Sequence, residues 1–527
     1  MAATLLQHRP TLPSAANDAA PAPSRSLLRF ITCGSVDDGK STLIGRLLAD
    51  AGAVPDDVMA GIEADSARLG KAGGGLDYAL LVDGLAAERE QGITIDVAYR
   101  YFATARRSFI VADTPGHEQY TRNMATGASG ADLAVILVDA EKGLLPQTRR
   151  HSFIVSLVGV RHVIVAVNKM DRVDWSEAKF RAIEADYRAA VAGLGFSSVT
   201  AIPLSARDGD NVARPSPRAP WHRGPTLVQA LETADTDEVQ AMSGIVLPVQ
   251  GVNRPDSSFR GFSGTVAAGV LRPGAAVTAL PSGTSARIAR IVTFDGDLEE
   301  AEPGRAVTVT LDAAIDVSRG DVMVGTHSVH AVRVAREIDV RLLVTAPRTI
   351  AAGDAFEIRL GTASANATVV EVKERIDVAT FAALPGGPLA LNAIGAARLR
   401  LDRPLAVAAY GALRDLGSLI LIDRLTNETA ALGVVHEPAP TPIPRGPASV
   451  TALRGWLEKD RRALWPALTW RAASAGLLAL VVYAVTGHGP AAIVAGLADA
   501  AGRVALRRVH GAAWRRLNDE PAGGRGR

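Results

Sequence analysis

The sequence predicts an α/β domain, followed by two β-barrel domains and a C-terminal helical segment. Three features support this prediction. The first half alternates short apolar runs with helical stretches, the middle has short Val-, Thr- and Ile-rich runs between Gly-containing turns, and a long uncharged run lies near the end. A chain of 527 residues also exceeds a single hydrophobic core, since cores stop growing near about 250–300 residues.

Cysteine and charge content narrow the functional classes. Cys33 is the only cysteine, which excludes an intramolecular disulfide and a cysteine-based zinc cluster and agrees with a reducing cytoplasm. Residues 441–527 contain 13 Lys and Arg against 5 Asp and Glu, so their net charge is +8; because the whole chain carries +2, the remainder is near −6. An acidic body is not typical of nucleic-acid-binding proteins, and no nucleic-acid partner is expected, although the basic end could meet anionic lipid or nucleic acid.

Residues 1–26 and 27–239 differ in character. Residues 1–26 are rich in Ala, Pro and Ser and lack the apolar stretch of a secretory signal, which predicts a disordered leader and a cytoplasmic protein. Residues 27–239 alternate strands with helices, and this pattern indicates a parallel sheet whose ligand binds at the carboxyl ends of the strands. The predicted strands are residues 28–33, 109–113, 133–139, 163–168 and 200–204.

The middle of the chain is predicted to be β-structure. Gly-containing turns, for example at 271–274 and 294–297, separate short strands and indicate two barrels, at residues 240–336 and 337–437. Prolines occupy nearly every second position near residues 436–447 and are not expected to continue a strand or a helix. Residues 438–463 are therefore predicted to be a linker.

A phosphate-binding loop follows the first predicted strand and opens a predicted helix. Its residues are Gly34, Ser35, Val36, Asp37, Asp38, Gly39, Lys40, Ser41 and Thr42. They match the P-loop pattern G-x-x-x-x-G-K-[ST], in which glycines let backbone N–H groups wrap the phosphates. Lys40 would contact the β- and γ-phosphates, and Ser41 would bind Mg²⁺. The alternative is a Gly-rich turn without a ligand.

Three further motifs at strand ends specify the nucleotide. They are Asp113-Thr114-Pro115-Gly116, Asn168-Lys169-Met170-Asp171 and Ser205-Ala206. Asp113 can hold Mg²⁺ through water, and the Gly116 N–H can contact the γ-phosphate. The Asp171 carboxylate can accept two N–H bonds from guanine, which adenine cannot offer, and a backbone N–H of Ser205-Ala206 could contact guanine O6. The order of the motifs predicts an α/β P-loop GTPase domain that binds GTP and Mg²⁺.

Two residues are candidates for the hydrolysis step. Thr94, in Gly92-Ile93-Thr94-Ile95, could reach Mg²⁺ and the γ-phosphate, and loss of that phosphate would free its loop. The alternative for Thr94 is an ordinary strand threonine. His117 could orient the attacking water, and its alternative is a surface imidazole. Together with Lys40 these residues form the predicted catalytic set; the predicted metal ligands are Ser41, Thr94 and Asp113.

These motifs, followed by two barrels, resemble the elongation factor Tu superfamily over about residues 27–437. Three longer runs, at residues 81–92, 113–129 and 147–152, are similar instead to the large, GTPase subunit of bacterial heteromeric sulfate adenylyltransferase. The resemblance implies that a separate small subunit forms adenosine 5′-phosphosulfate and pyrophosphate from ATP and sulfate while this chain hydrolyses GTP. It also implies that the loop at Thr94 and the loop at 113–117 act as switches and that the barrels carry their change to that partner.

Two alternatives compete with this hypothesis. A translation elongation-type GTPase would bind aminoacyl-tRNA in its GTP state with a marked salt dependence. A membrane scaffold with a vestigial GTPase would show no turnover. Six intact residues argue against it: Lys40, Ser41, Thr94, Asp113, Asn168 and Asp171.

The C-terminal segment departs from the superfamily. Residues 472–498 are 27 residues without Asp, Glu, Lys or Arg, interrupted by Gly487-His488-Gly489-Pro490 and flanked by arginines. Residues 464–518 are predicted to form a helical hairpin, and residues 519–527 a disordered tail. The hairpin could attach the protein to the inner face of the membrane, by spanning it or lying on it, or could pack as a soluble hairpin against the barrels.

Overall fold

The computed structural model describes residues 26–69, 76–82, 94–235, 244–257, 259–325 and 331–439. The chain divides into two compact units, Met1–Ile443 and Pro444–Arg527, and all of the described residues belong to the first. The leader before residue 26, the linker from residue 440, the predicted hairpin at 464–518 and the tail at 519–527 lie outside the described residues. Within the described part, no helix has the length and apolar character to span a membrane.

Six strands near the N-terminus form one sheet. They are β1 Leu27–Cys33, β2 Ala98–Ala103, β3 Ser108–Asp113, β4 Leu133–Asp139, β5 His162–Asn168 and β6 Ser198–Pro203. Their order in the sheet is β2-β3-β1-β4-β5-β6. The pairs β1–β3, β1–β4, β4–β5 and β5–β6 are parallel, so the carboxyl ends of five strands lie along one edge.

Strand β2 is a correction to the predicted all-parallel sheet. It was not among the predicted strands, and it pairs antiparallel with β3 at the edge of the sheet. Only a short turn joins β2 to β3, and so short a connection produces an antiparallel pair. Tyr99 and Tyr101 are exposed and Phe102 is buried, so β2 lacks the continuous apolar run that marked the buried strands.

Helices cover both faces of this sheet. They are α1 Lys40–Asp50, α2 Asp56–Leu69, α3 Thr121–Ser129, α4 Pro146–Leu157, α5 Glu177–Val191 and α6 Leu227–Thr233. One core packs α1 and α6 against residues such as Leu28, Phe30 and Val135. The opposite core packs α3, α4 and α5 against Ile31, Ile136 and Val165. Every residue of β4 is buried, as expected for a central strand between two helical layers.

Two β-barrels follow. The first comprises β7 Val246–Pro248, β8 Gly251–Asn253, β9 Gly261–Thr265, β10 Ala276–Leu280, β11 Thr284–Thr293, β12 Gly296–Leu298, β13 Ala306–Leu311 and β14 Val322–Gly325. The second comprises β15 Arg333–Val344, β16 Ala355–Leu360, β17 Ala363–Ile376, β18 Ala383–Pro385, β19 Ile394–Val407, β20 Ser418–Ile422 and β21 Thr429–Ala439, with the short helix α7 Arg414–Gly417. Pairing of β16 with both β17 and β20 closes the second barrel. The predicted order of an α/β domain and two barrels is confirmed.

Strand β21 extends to Ala439 and includes Pro438, although the prolines near residues 436–447 were not expected to continue a strand. Pro438 and Ala439 pair with Ile338 and Glu337 of β15. The pairing of β21 with β20 ends at Val434, so among the described residues this last part of β21 pairs only with β15. The register shifts near Asp339. Proline is tolerated at such an edge and next to a bulge, because no central ladder bond is lost.

The second barrel packs on the α/β domain. Leu343 and Ile394 of the barrel belong to the same buried cluster as α4 residues such as Ile154. The Phe381 ring lies 5.6 Å from the ring of Phe153 on α4. The position of the second barrel relative to α4 therefore depends on shared apolar packing.

Candidate functional site

The P-loop connects β1 to α1 through a turn that requires glycine. Gly39 has φ 93°, in the left-handed region, and directly precedes the first residue of α1. A Cβ atom at Gly39 would lie 2.4 Å from Asn168 Nδ2. Asp38 further shapes the loop, because its buried carboxylate accepts a hydrogen bond of 2.6 Å from the Ser35 N–H. The loop is thus fixed by backbone conformation and by its own side chains.

Lys40 is buried at the centre of this loop. Its Nζ donates to Gly34 O at 3.1 Å and to Ser35 O at 2.9 Å. Burial lowers the pKa of Lys40, and Asp113 and Asp38 oppose that shift by favouring its charged form. Burial raises the pKa of Asp38, which the Ser35 N–H and Lys40 partly offset. Because Lys40 is buried, an ammonium at this position would act on a bound phosphate in surroundings that screen it little.

The loop after β3 approaches the P-loop closely. Thr114 is buried and its Oγ1 donates to Thr32 O at 2.7 Å, which holds the loop against β1. A Cβ atom at Gly116 would lie 2.4 Å from Lys40 Nζ and 2.8 Å from Gly34 O. Only glycine fits at this distance, so the Gly116 backbone can reach a group bound beside Lys40.

A cavity of about 250 Å³ opens at this edge of the sheet. It brings together predicted residues from separate parts of the sequence, with Thr94 and His117 beside the P-loop. The lining residues are Val36, Asp37, Gly39, Lys40, Ser41, Thr42, Ala79, Thr94, Gly116, His117 and Lys169. Ala79 was not predicted; it lies in the 3₁₀ turn Tyr78–Leu81 and has no motif that would signal it.

His117 is anchored at one ring nitrogen. It caps the 3₁₀ turn Glu118–Tyr120, and its Nδ1 accepts a hydrogen bond of 3.3 Å from the Gln119 N–H. An accepting Nδ1 places the proton of the neutral ring on Nε2. His117 is exposed and also lines the cavity, so its ring lies in the region beside Gly116.

The Asn168-Lys169-Met170-Asp171 motif has several structural roles. Asn168 Nδ2 donates to Asp38 O at 2.7 Å, and its Oδ1 accepts from the Ala206 N–H at 2.9 Å. Asn168 therefore ties the P-loop to the Ser205-Ala206 loop. The Met170 side chain is fully buried in the core and does not line the cavity. Lys169 has φ 63°, and its Nζ donates to Asp37 O.

The residues predicted to contact guanine lie beyond this cavity. Asp171 accepts a hydrogen bond of 3.4 Å from Arg207 Nη2. The Ser205 N–H donates to Asp210 O at 3.2 Å, so both backbone N–H groups predicted for guanine O6 have partners within the protein. The phosphate side of the predicted site is thus gathered around one cavity, whereas its base side is a separate hydrogen-bonded loop.

Asp139 is a residue of the site that the motifs missed. Its buried Oδ2 accepts from Lys169 Nζ at 2.7 Å. Burial disfavours its ionised form, but the hydrogen bonds from Lys169 and from the Glu141 N–H outweigh burial and lower the pKa of Asp139. The register pairs Asp139 at the end of β4 with Asn168 at the end of β5. The sequence signal for Asp139 was therefore its position at the end of a predicted strand, next to the strand that ends at Asn168.

The donor set fits GTP and Mg²⁺. A side chain at Gly39 or Gly116 would collide with neighbouring atoms. Glycine at both positions therefore lets the backbone N–H groups approach bound phosphates closely. Ser41, Thr94 and Asp113 offer only hydroxyl and carboxylate oxygens, which are ligands that Mg²⁺ prefers. In the described ranges, no group of three or more His, Cys, Asp or Glu side chains forms a competing metal site.

Comparison with known proteins agrees with this geometry. Residues 25–240 match the elongation factor Tu GTP binding domain, and residues 337–436 match the GTP-eEF1A C-terminal domain-like family. Sulfate adenylyltransferase subunit 1 of Methylorubrum extorquens is 53% identical over 437 residues, which cover 81% of this chain and 92% of the relative. The chain belongs to the sulfate adenylyltransferase subunit 1 family.

Further members and a longer relative extend the comparison. Sulfate adenylyltransferase subunit 1 of Aeromonas salmonicida is 51% identical over 413 residues, covering 78% of this chain and 87% of that protein. The bifunctional enzyme NodQ of Azospirillum brasilense is 55% identical over 415 residues, covering 79% of this chain and 67% of that protein. The predicted resemblance to the sulfate adenylyltransferase GTPase subunit is confirmed, and the translation-factor alternative is not favoured.

Proposed function

We propose that this chain is the GTP-hydrolysing subunit of a heteromeric sulfate adenylyltransferase, EC 2.7.7.4. A separate small subunit forms adenosine 5′-phosphosulfate and pyrophosphate from ATP and sulfate, and GTP hydrolysis by this chain drives that reaction forward. The proposal is carried by family membership together with the convergence of Lys40, Ser41, Thr94 and His117 on one cavity. A phosphate–sulfate anhydride is a high-energy linkage, so its synthesis from ATP is uphill, and coupling to GTP hydrolysis can pull it forward.

In this proposal each residue has a defined role. Lys40 and the P-loop N–H groups bind the β- and γ-phosphates, and the Gly116 N–H contacts the γ-phosphate. Ser41, Thr94 and Asp113 would hold Mg²⁺, which supplies charge neutralisation at the phosphates when bound. His117 orients the attacking water beside Gly116. Asp171, with the loop at Ser205 and Ala206, selects guanine.

Coupling requires two nucleotide-dependent states with different contacts to the partner. The loops at Thr94 and at 113–117 are the proposed switches, because both line the same cavity. Loss of the γ-phosphate would remove contacts from both loops at once. The barrels are the proposed route by which this change reaches the small subunit.

The deciding experiment measures pyrophosphate release from ATP and sulfate by the full chain and its cognate small subunit. We expect GTP to increase the yield, and a non-hydrolysable GTP analogue not to reproduce that increase. The small subunit alone is the control. If GTP has no effect although the complex forms and GTP is hydrolysed, the coupling is contradicted and the translation-factor alternative becomes the better hypothesis.

We also propose a cytoplasmic location, domain limits at 27–239, 240–336 and 337–437, and membrane attachment through residues 464–518. Fractionation of cells that express the full chain, or a form ending at residue 463, tests the attachment. Recovery of both forms in the detergent-free supernatant would contradict it. Limited proteolysis tests the domain limits.

A further inference from the structure

Glu118, the residue after His117, is held by three parts of the molecule. Its main-chain oxygen accepts hydrogen bonds from Thr121 Oγ1 at 2.7 Å and from Asn392 Nδ2 at 3.2 Å. Its carboxylate pairs with Arg150 of α4 at 2.8 Å. Thr121 belongs to α3, whereas Asn392 belongs to the second barrel. The loop that carries His117 is therefore fixed by its own helix, by α4 and by a distant domain.

Arg150 is itself held in place on α4. Its side chain is 16% exposed, and Nη1 also donates to Gln147 Oε1 at 2.9 Å. Gln147 Nε2 lies 2.9 Å from Nε2 of the buried His151. This chain of contacts connects the Glu118 carboxylate to the buried face of α4. The side chain of Glu118 therefore has a partner, Arg150, that is held in place.

Asn392 is placed by its backbone. It has φ 63°, a conformation that Asn adopts more readily than most residues, and its N–H donates to Val344 O at 3.0 Å. It lies two residues before β19, where the barrel faces the α/β domain. The turn therefore presents the Nδ2 donor to Glu118 without a long, flexible side chain.

Docking of the barrel does not depend on Asn392. Tyr410 Oη donates to Val158 O at 2.7 Å, and Arg414 Nη2 donates to Gly159 O at 2.6 Å. Both acceptors follow the end of α4, and the Phe153–Phe381 contact adds apolar packing on that helix. Asn392 makes a further contact, on the loop that carries His117 rather than on α4.

We propose that Asn392 is a positioning residue for GTP hydrolysis: through the Glu118 main chain, the second barrel fixes the loop that aims His117. Loss of this hydrogen bond would let the His117 side chain move away from its catalytic position while leaving the P-loop intact. Because the bond forms only when the second barrel is correctly placed, barrel placement would change the hydrolysis rate. This inference rests on the proposed GTPase activity, and it names the contact by which a barrel regulates it.

The test compares Asn392→Gly with Tyr410→Phe in the full-length chain. Glycine suits the positive φ and removes the donor, whereas Tyr410→Phe removes one hydrogen bond of the same barrel away from His117. We expect Asn392→Gly to lower kcat for GTP by about tenfold, with KM and the Kd for GDP within about twofold of wild type. Tyr410→Phe should leave kcat unchanged. Asn392→Asp, which keeps the backbone preference but lacks the N–H donor, should behave like Asn392→Gly.

His117→Ala gives the lower limit of turnover, below which neither Asn392 variant should fall. Equal kcat in wild type and in both Asn392 variants would overturn the inference, as would an equal loss in Tyr410→Phe, which would indicate a general effect of the interface. Absence of GTP turnover in the wild type would remove the proposed function as well. Normal GTP turnover in the wild type, with equal kcat in both Asn392 variants, would remove this inference alone.

Discussion

The two ends of the nucleotide site hold their charges in different surroundings. At the phosphate end, Lys40, Asp38 and Asp113 are all buried. At the base end, Asp171 contacts Arg207, whose side chain is 56% exposed. Charges interact strongly where water is excluded and weakly where water and salt screen them. The phosphate end should therefore provide most of the affinity, and the base end should provide the choice of base.

Substitution of Lys40 should have the largest effect. Lys40→Ala removes the ammonium from the P-loop and leaves the nearby charges of Asp38 and Asp113 without it. Loss of one partner from a buried, hydrogen-bonded charge pair costs about 2–5 kcal/mol, so the affinity for GTP should fall by about 30-fold or more. Titration with a fluorescent GTP analogue measures the change.

The matched control for Lys40→Ala is Lys142→Ala. Lys142 is exposed in the turn after β4, and its removal should leave the Kd for GTP within about twofold of wild type. Melting temperatures of both variants separate loss of binding from loss of folding. A folded Lys40→Ala variant with near-normal affinity would show that the buried ammonium is not the main phosphate contact.

Asp171→Asn should change specificity at the base end. The substitution removes a carboxylate that can accept two N–H bonds from guanine and supplies an NH₂ donor in its place. Because hydrogen bonds to charged groups contribute about 1.5–3 kcal/mol, GTP affinity should fall by about 30-fold. Xanthosine triphosphate, whose base has a carbonyl oxygen where guanine has an amino group, should bind more tightly than it does to wild type. A parallel loss for both nucleotides would contradict the assignment.

The phosphate end was the more predictable from sequence. The P-loop is continuous in the chain, and the strands β1, β3, β4 and β5 are largely buried apolar runs of the expected length. The edge strand β2 escaped prediction because its tyrosines are exposed and Phe102 is its only buried residue, so it has no apolar run. Asp139 and Asn392 escaped it for a different reason, since their partners Lys169 and Glu118 are 30 and 274 residues away. Contacts of that kind follow from strand register and domain packing rather than from local pattern.

The pH dependence of stability at His151 reports how completely the region behind the phosphate end is buried. Burial, followed by the charges of Lys40 and Arg150, lowers the pKa of His151 to about 3 from its usual 6.5. The unfolded chain therefore binds a proton first, so the contribution of His151 to stability is complete above about pH 6.5 and falls as the pH drops toward 3. Between pH 7.5 and 5.5 the loss should be about 1.4 kcal/mol. In His151→Gln this part of the pH dependence should disappear.

Denaturant unfolding of wild type and His151→Gln at pH 7.5 and 5.5 measures the difference. Other titrating groups are common to both proteins, so the change in the gap between them reports His151 alone. The gap should narrow by about 1.4 kcal/mol at the lower pH. An unchanged gap would mean that His151 can take up a proton in the folded protein.

The smallest effect is expected at Arg207, and it completes the contrast between the two ends. Arg207 pairs with Asp171 at 3.4 Å and with Asp208 at 3.0 Å, and its hydrogen bond to Asp208 raises its pKa. Pairs in which one side chain is this exposed contribute about 0–1 kcal/mol, so Arg207→Ala should change the Kd for GTP by less than about fivefold. The change should shrink further when the titration is repeated at high salt, because salt screens exposed charges. A loss as large as that of Lys40→Ala, or one insensitive to salt, would show that the bound base buries Arg207 and that both ends exclude water.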